Sequence, residues 1–232
     1  MRPSDVPEVR SLRLFGNMSD ANFAAMMQAA YLQTFPDQLN LIAEGDLADF
    51  LYVVIEGCVE LYAETNGRSA TIDMVPPVGT FILAAVLKDT VYLMSARTCE
   101  KSKILLIPAN NVRMAIKNDS AFSRVIIEEL ADCYCGSVKE HKNLKLRSAV
   151  ERLANQLLGY NDKQGATGRL ELPHDKRRLA SMLGMTPENL SRAFNTLKPY
   201  GVIVDGGTVN LKDVPALTNL AKPNPLIDDR AT

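Results

Sequence analysis

Glu188, Ser191 and Arg192 lie within the stretch MTPENLSRAF, from Met185 to Phe194. On a helix advancing 100° per residue, Ser191 falls about 60° to one side of Glu188 and Arg192 about 40° to the other, so the three share one face. A carboxylate acceptor, a hydroxyl and a planar guanidinium form a surface suited to matching hydrogen-bonding edges. The edges of DNA bases in the major groove fit it: Arg192 can donate twice to guanine O6 and N7, Glu188 can accept from cytosine N4, and Ser191 can bond a base or touch a thymine methyl. Leu190, Phe194 and Leu197 recur on roughly the opposite side, the side a helix of this kind buries. A plainer alternative is a surface Glu–Arg pair at i, i+4, worth ~0.2–0.5 kcal/mol.

The elements around this stretch decide between the two. Asp175 can cap a helix running through LASML, with Leu179, Met182 and Leu183 apolar and Gly184 ending it. Thr186 then serves as the next N-cap and Pro187 occupies the first helical position, where a missing N–H costs nothing. Two short helices joined by a tight turn make a helix-turn-helix, and GVIVDGGTVNL after it reads as a hairpin turning at Asp205-Gly206-Gly207: a wing. The N-terminal residues of the second helix are the ones that meet base edges in such a fold. Lys176, Arg177 and Arg178, with Thr186 and the helix N-termini, are placed to contact phosphates.

Charge is divided in the same sense. Residues 1–142 carry 13 Lys+Arg against 18 Asp+Glu, and residues 143–232 carry 13 against 9, so a net charge of −1 hides an acidic front and a basic rear. At 232 residues, 47% of them hydrophobic, two domains are expected. No apolar run approaches the roughly 18 residues of a membrane span, and residues 1–17 lack the centre of a signal peptide, so a cytoplasmic protein with no membrane partner is expected. Cys133 and Cys135, two apart on a helix, point about 200° away from each other and cannot hold one metal; both read as buried thiols. No phosphate-cradling loop, histidine-rich spacing or nucleophile–base pair marks an enzyme.

Upstream, SDANFAAMMQAA reads as a helix capped by Ser19 or Asp20, and LNLIA, FLYVVIEG, CVELYAET, ATIDMV and KILLIP read as short strands with a hairpin at Asn66-Gly67. These make a small β barrel or roll. From about Asn111 to Lys142 the chain turns helical, and Ile126, Leu130 and Cys133 are spaced to form the seam of a two-helix dimer, unless that helix packs only on its own barrel. Val150, Leu153, Leu157 and Leu158 stripe a further helix, RLELP is a candidate strand, and the tail KPNPLIDDRAT is expected to be loose. The expected class is α+β: a sensor roll at 1–118, a dimerisation helix at 119–142 and a winged helix-turn-helix at 143–232.

LIAEGDLADFLYVVIEGCVELY, SAVERLANQLL and LASMLGMTPENLSRAFNTLKPYGVI together resemble the CRP/FNR superfamily of bacterial transcription regulators. They are similar, in turn, to its cyclic-nucleotide-binding-like, cupin-like roll, the opening of its DNA-binding domain and its helix-turn-helix. The E-x-x-S-R pattern of Glu188, Ser191 and Arg192 resembles the FNR-type reading head. The resemblance implies a TTGAT-like half-site in a palindrome of double-stranded DNA, a homodimer, and RNA polymerase as the working partner of an activator.

Departures from the family's patterns narrow the effector. Where a cyclic-nucleotide pocket of this family has Gly-Glu and Arg-Ser, this chain has Gly79-Thr80 and Val91-Tyr92-Leu93, with Arg97 several residues late. A buried phosphate without a paired cation is too costly, so cyclic AMP is not expected. The first cysteine is Cys58, which removes the N-terminal cysteines of an iron–sulfur cluster. The apolar run including Phe81, Ile82, Leu83, Val86 and Leu87, with Leu93 beyond it, suits either a helix packed under the barrel or a pocket for a flat cofactor. Regulators of the NnrR and DNR type, which respond to nitric oxide in denitrification and use haem, resemble the second arrangement. A haem here would need Met, Cys or Tyr as axial ligand, because His141 and His174 both lie outside the roll. A competing function is a ligand-binding or scaffolding module that uses its helix-turn-helix for protein contacts.

Overall fold

In the computed structural model, which describes residues 1–229, helices α1 (Val6–Arg10) and α2 (Asp20–Met26) precede the first strands. Ser19 caps α2 by accepting from the Asn22 amide at 3.3 Å. The strands are β1 (Tyr31–Phe35), β2 (Asn40–Ile42), β3 (Phe50–Glu56), β4 (Val59–Thr65), β5 (Arg68–Val75) and β6 (Thr80–Phe81). Helix α3 (Leu83–Lys88) separates them from β7 (Ser95–Thr98) and β8 (Ser102–Pro108). They pair antiparallel in two four-stranded sheets, ordered β1-β8-β3-β6 and β2-β7-β4-β5, the expected roll. The Asn66-Gly67 hairpin joins β4 to β5, with both residues at positive φ (50° and 72°). β3 is buried on both faces from Leu51 to Ile55, so it reads as a continuous apolar run rather than an alternating one.

Helix α4 (Ala109–Asn118) is followed at once by α5 (Ser120–Leu146). The joint is Asp119, which leaves helical geometry at φ −132° and accepts the Phe122 amide at 2.9 Å, so it ends one helix and caps the next. The long helix thus begins one residue after the expected boundary and runs four residues past it. Contacts divide the chain within α5, into Met1–Ala131 and Asp132 onward.

The core of the first unit joins strand residues such as Leu51, Val53, Ile104 and Ile107 to Phe15, Phe122 and Ile126. The second unit contains α6 (Ala149–Lys163), β9 (Arg169–Glu171), α7 (Lys176–Met182), α8 (Pro187–Leu197), β10 (Val202–Asp205), β11 (Thr208–Leu211), α9 (Val214–Ala221) and α10 (Pro225–Asp228). A capping box of Ser148 and Glu151 starts α6. The wing is three-stranded, because RLE joins the hairpin in the order β10-β11-β9. The tail is not loose as far as Asp229: it forms α10, which hydrogen-bonds to residues of α5 and Arg147. Its remainder, Arg230 to Thr232, lies outside the described residues. Among the described residues no helix is long and apolar enough to cross a membrane.

Candidate nucleic-acid interface

The two helices of the motif begin and end where their capping residues put them. Asp175 accepts the Arg178 amide at 2.9 Å to start α7, and Gly184 takes φ +61° in the turn. Thr186 accepts the Asn189 amide at 3.3 Å with Pro187 first in α8. Leu190, Ala193, Phe194 and Leu197 are buried in a core shared with Leu153, Leu157, Leu179 and Val209. This burial fixes the roll of α8 about its axis, and Glu188, Ser191 and Arg192 are left together on its exposed side. Lys176 and Arg177 are likewise exposed at the start of α7.

The polar groups on that face are in different states. The Thr186 hydroxyl, then the backbone amide of Glu188 itself and the Arg192 charge, hold the Glu188 carboxyl below its ordinary range. It is therefore an acceptor at neutral pH. The Ser191 hydroxyl donates to Pro187 O at 3.0 Å, so in this conformation its oxygen faces outward as an acceptor only. Arg192 enters no ion pair among the described residues, and the i, i+4 attraction to Glu188 acts without a closed bridge. Arg178 differs from its two neighbours: its side chain is largely covered and lies 3.8 Å from Asp175, which makes it the least available of the three basic residues.

In the roll, Phe81, Leu83 and Val86 are buried in the core of the first unit and Leu87 is half-buried against it. Leu93 does not join them. It is 74% exposed, because Tyr92 beside it takes the buried position. The expected pocket set therefore does not line one cavity. Phe81 stacks on Tyr52 with ring centroids 5.0 Å apart, and Tyr92 is buried alongside. Burial, followed by the neighbouring Tyr92, pushes the Tyr52 hydroxyl well up from its ordinary value.

Arg97, the late cation, donates to Glu60 at 2.8 Å and lies over the Tyr62 ring at 4.4 Å; Glu60 is buried and also accepts from Thr71 at 2.6 Å. This network was not legible beforehand. Its only signal was the position of Arg97, since its partners come from two other strands.

Of the three residues expected at a dimer seam, Cys133 alone is exposed. Ile126 is 2% exposed and packs in the core of its own unit, and Leu130 is half-buried against that core. Large apolar residues that α5 leaves outside include Ile127 (66% exposed), Tyr134 (71%) and Val138, with Leu144 and Leu146 exposed at its C-terminal end. The spacing of the first three, seven and four residues, follows a coiled-coil stripe, with His141 next in the series. Cys133 and Cys135 are exposed rather than buried, because from Ala131 to Val138 every residue of α5 is exposed.

Residues 151–220 match the Crp-like helix-turn-helix domain, and residues 32–119 match the cyclic nucleotide-binding domain. The chain is 34% identical over 192 residues to the nitrogen fixation regulation protein FixK of Bradyrhizobium diazoefficiens, covering 78% of each chain. It is 26% identical over 211 residues to the transcriptional activatory protein AadR of Rhodopseudomonas palustris, covering 84% of this chain and 83% of that one. Among solved structures, FixK2 from Bradyrhizobium japonicum aligns with a TM-score of 0.71 at 22% identity, over 85% of this chain and all of the other.

Proposed function

The chain belongs to the CRP/FNR family of DNA-binding transcription regulators, and from that premise we propose that it acts in the cytoplasm as a homodimer on a TTGAT-like palindrome. The observation that carries this reading is the division of α8: four apolar residues buried on one side, Glu188, Ser191 and Arg192 together on the other. Arg192 reads the guanine, Glu188 accepts from the cytosine opposite, and Ser191 presents an acceptor or its methylene to a neighbouring base. Lys176, Arg177 and Thr186 contact phosphates and set the register, with Arg178 in a lesser part.

The dimer forms along α5 through Ile127, Leu130, Tyr134 and Val138. Two reading heads then fall about one DNA turn, ~34 Å, apart. RNA polymerase is the working partner of the bound dimer. Genes of anaerobic or nitrogen-oxide metabolism are the proposed targets, a reading supported by the FNR-type head and by the nitrogen-fixation role in the name of FixK.

A cyclic nucleotide is not proposed for the roll. The cation it would need, Arg97, is neutralised by the buried Glu60, and Tyr52 and Phe81 stack in the interior. The residues do not fit a haem either: Phe81, Leu83 and Val86 are consumed in core packing, and Leu93 faces solvent. Any signal acts by its differential affinity for two forms of the dimer.

Titration of the protein on a duplex bearing two TTGAT arms and on a scrambled duplex of equal length tests the proposal. A preference of at least ~10³, falling steeply with salt on both duplexes, is expected. Equal affinity for both sequences would instead favour a scaffold whose helix-turn-helix meets protein.

A further inference from the structure

The segment Asn224 to Asp229 is folded against the end of α5. Asn224 accepts the Leu226 amide at 2.9 Å, and its own amide donates to Asp228 Oδ2 at 2.6 Å, which closes the short helix α10 on itself. The Asp228 carboxylate then accepts both arms of the Arg147 guanidinium, each at 2.6 Å. Lys142 Nζ donates to Leu226 O at 3.2 Å, and Lys139 Nζ to Asp229 O at 2.6 Å.

Arg147 is the elbow of this unit: α5 ends at Leu146, and Ser148 caps α6. Its side chain is 7% exposed and that of Asp228 29%, so the guanidinium of the pair is largely desolvated. Its carbonyl accepts from Arg152 Nη1 at 2.7 Å, and Arg152 Nε donates to Leu183 O at 2.8 Å, at the turn before the reading helix. At that turn a Cβ on Gly184 would lie 2.7 Å from Leu144 Cδ2, so the end of α5 and the turn are in direct contact. A bidentate pair fixes direction as well as distance, and a covered guanidinium does not stay in place without its carboxylate.

We infer that Asp228 is a positioning residue for DNA reading: the C-terminal segment is a strap that holds the α5–α6 elbow, and through Arg147 and Arg152 it fixes where α8 stands relative to the C-terminal part of α5. The inference rests on the base-reading proposal. In a dimer joined along α5, the elbow angle sets the separation of the two heads. That separation matters on a duplex with two arms and not on a duplex with one.

The test compares the full-length parent, Asp228→Asn and Asp228→Glu on two-arm and single-arm duplexes, together with amide hydrogen exchange of the free proteins. Asp228→Asn is expected to weaken two-arm binding by about tenfold, within the usual range of coupling between sites, and to leave single-arm binding within about twofold. Exchange should quicken at residues 143–152 and 183–186, and Asp228→Glu should restore most of both effects. Unchanged two-arm binding, or an equal loss on both duplexes, overturns the inference. A parent that binds either duplex no better than a scrambled one of equal length defeats base reading instead; exchange then decides the strap alone, and unaltered exchange at the elbow overturns it.

Discussion

Asp119 holds the root of the central helix, and replacing it with Asn should show how much one carboxylate does there. It is 7% exposed and accepts from the Asn22 side-chain amide at 3.0 Å, the Phe122 amide at 2.9 Å and the Ser19 amide at 3.0 Å. These donors, Asn22 foremost, lower its pKa from 3.8 to about 2. At 1.36 kcal/mol per unit, a shift of nearly two units corresponds to roughly 2 kcal/mol favouring the folded state.

The sign follows from the direction of the shift. A carboxyl depressed by folding stabilises fully above its unfolded value, near pH 4, and loses that contribution as pH falls through about 2. Asp119→Asn keeps the shape and removes the charge. Urea unfolding, followed by NMR signals of residues 1–131 so that the second unit does not contribute, should show the variant about 2 kcal/mol less stable at neutral pH. The gap should close between about pH 4 and about pH 2. A gap below about 0.5 kcal/mol, or one of constant size on acidification, would refute the assignment.

Ile127→Glu should yield a folded monomer by sedimentation velocity, whereas Ile126→Glu should unfold the first unit, because a buried unpaired charge costs several kcal/mol. A dimer that survives Ile127→Glu would place the seam elsewhere. Gly184→Ala should lower the stability of the second unit by about 1–2 kcal/mol, read as a fall in melting temperature, since the position is left-handed and the new methyl presses on Leu144. An unchanged melting temperature would mean the turn relaxes at no cost.

The parts legible in the sequence were those whose signal is local. Caps at Asp175 and Thr186, the Asn66-Gly67 turn and the apolar side of α8 all appear where residue type and spacing place them. The strands β1 and β7 were missed because YLQTF and SART carry no apolar alternation of their own; cross-strand pairing with β8, β2 and β4 holds them. Ile126 rather than Ile127 was expected to face outward because the two are chemically alike. Only packing in the core that also holds Phe15 and Phe122 decides which of them faces inward. The tail read as loose for a similar reason: its partner, Arg147, lies 81 residues earlier, and no short-range pattern announces that pair.

Base reading by α8 meets its most direct test in Arg192→Ala, titrated alongside the parent on two duplexes. One carries TTGAT in both arms, and the other replaces the guanine of each arm by adenine. The parent should lose ~1–3 kcal/mol per replaced base, while the variant should bind both duplexes with the same, weaker affinity and a nearly unchanged salt slope. A variant that still prefers guanine as strongly as the parent would contradict the assignment of Arg192 and, with it, the orientation given to the reading helix.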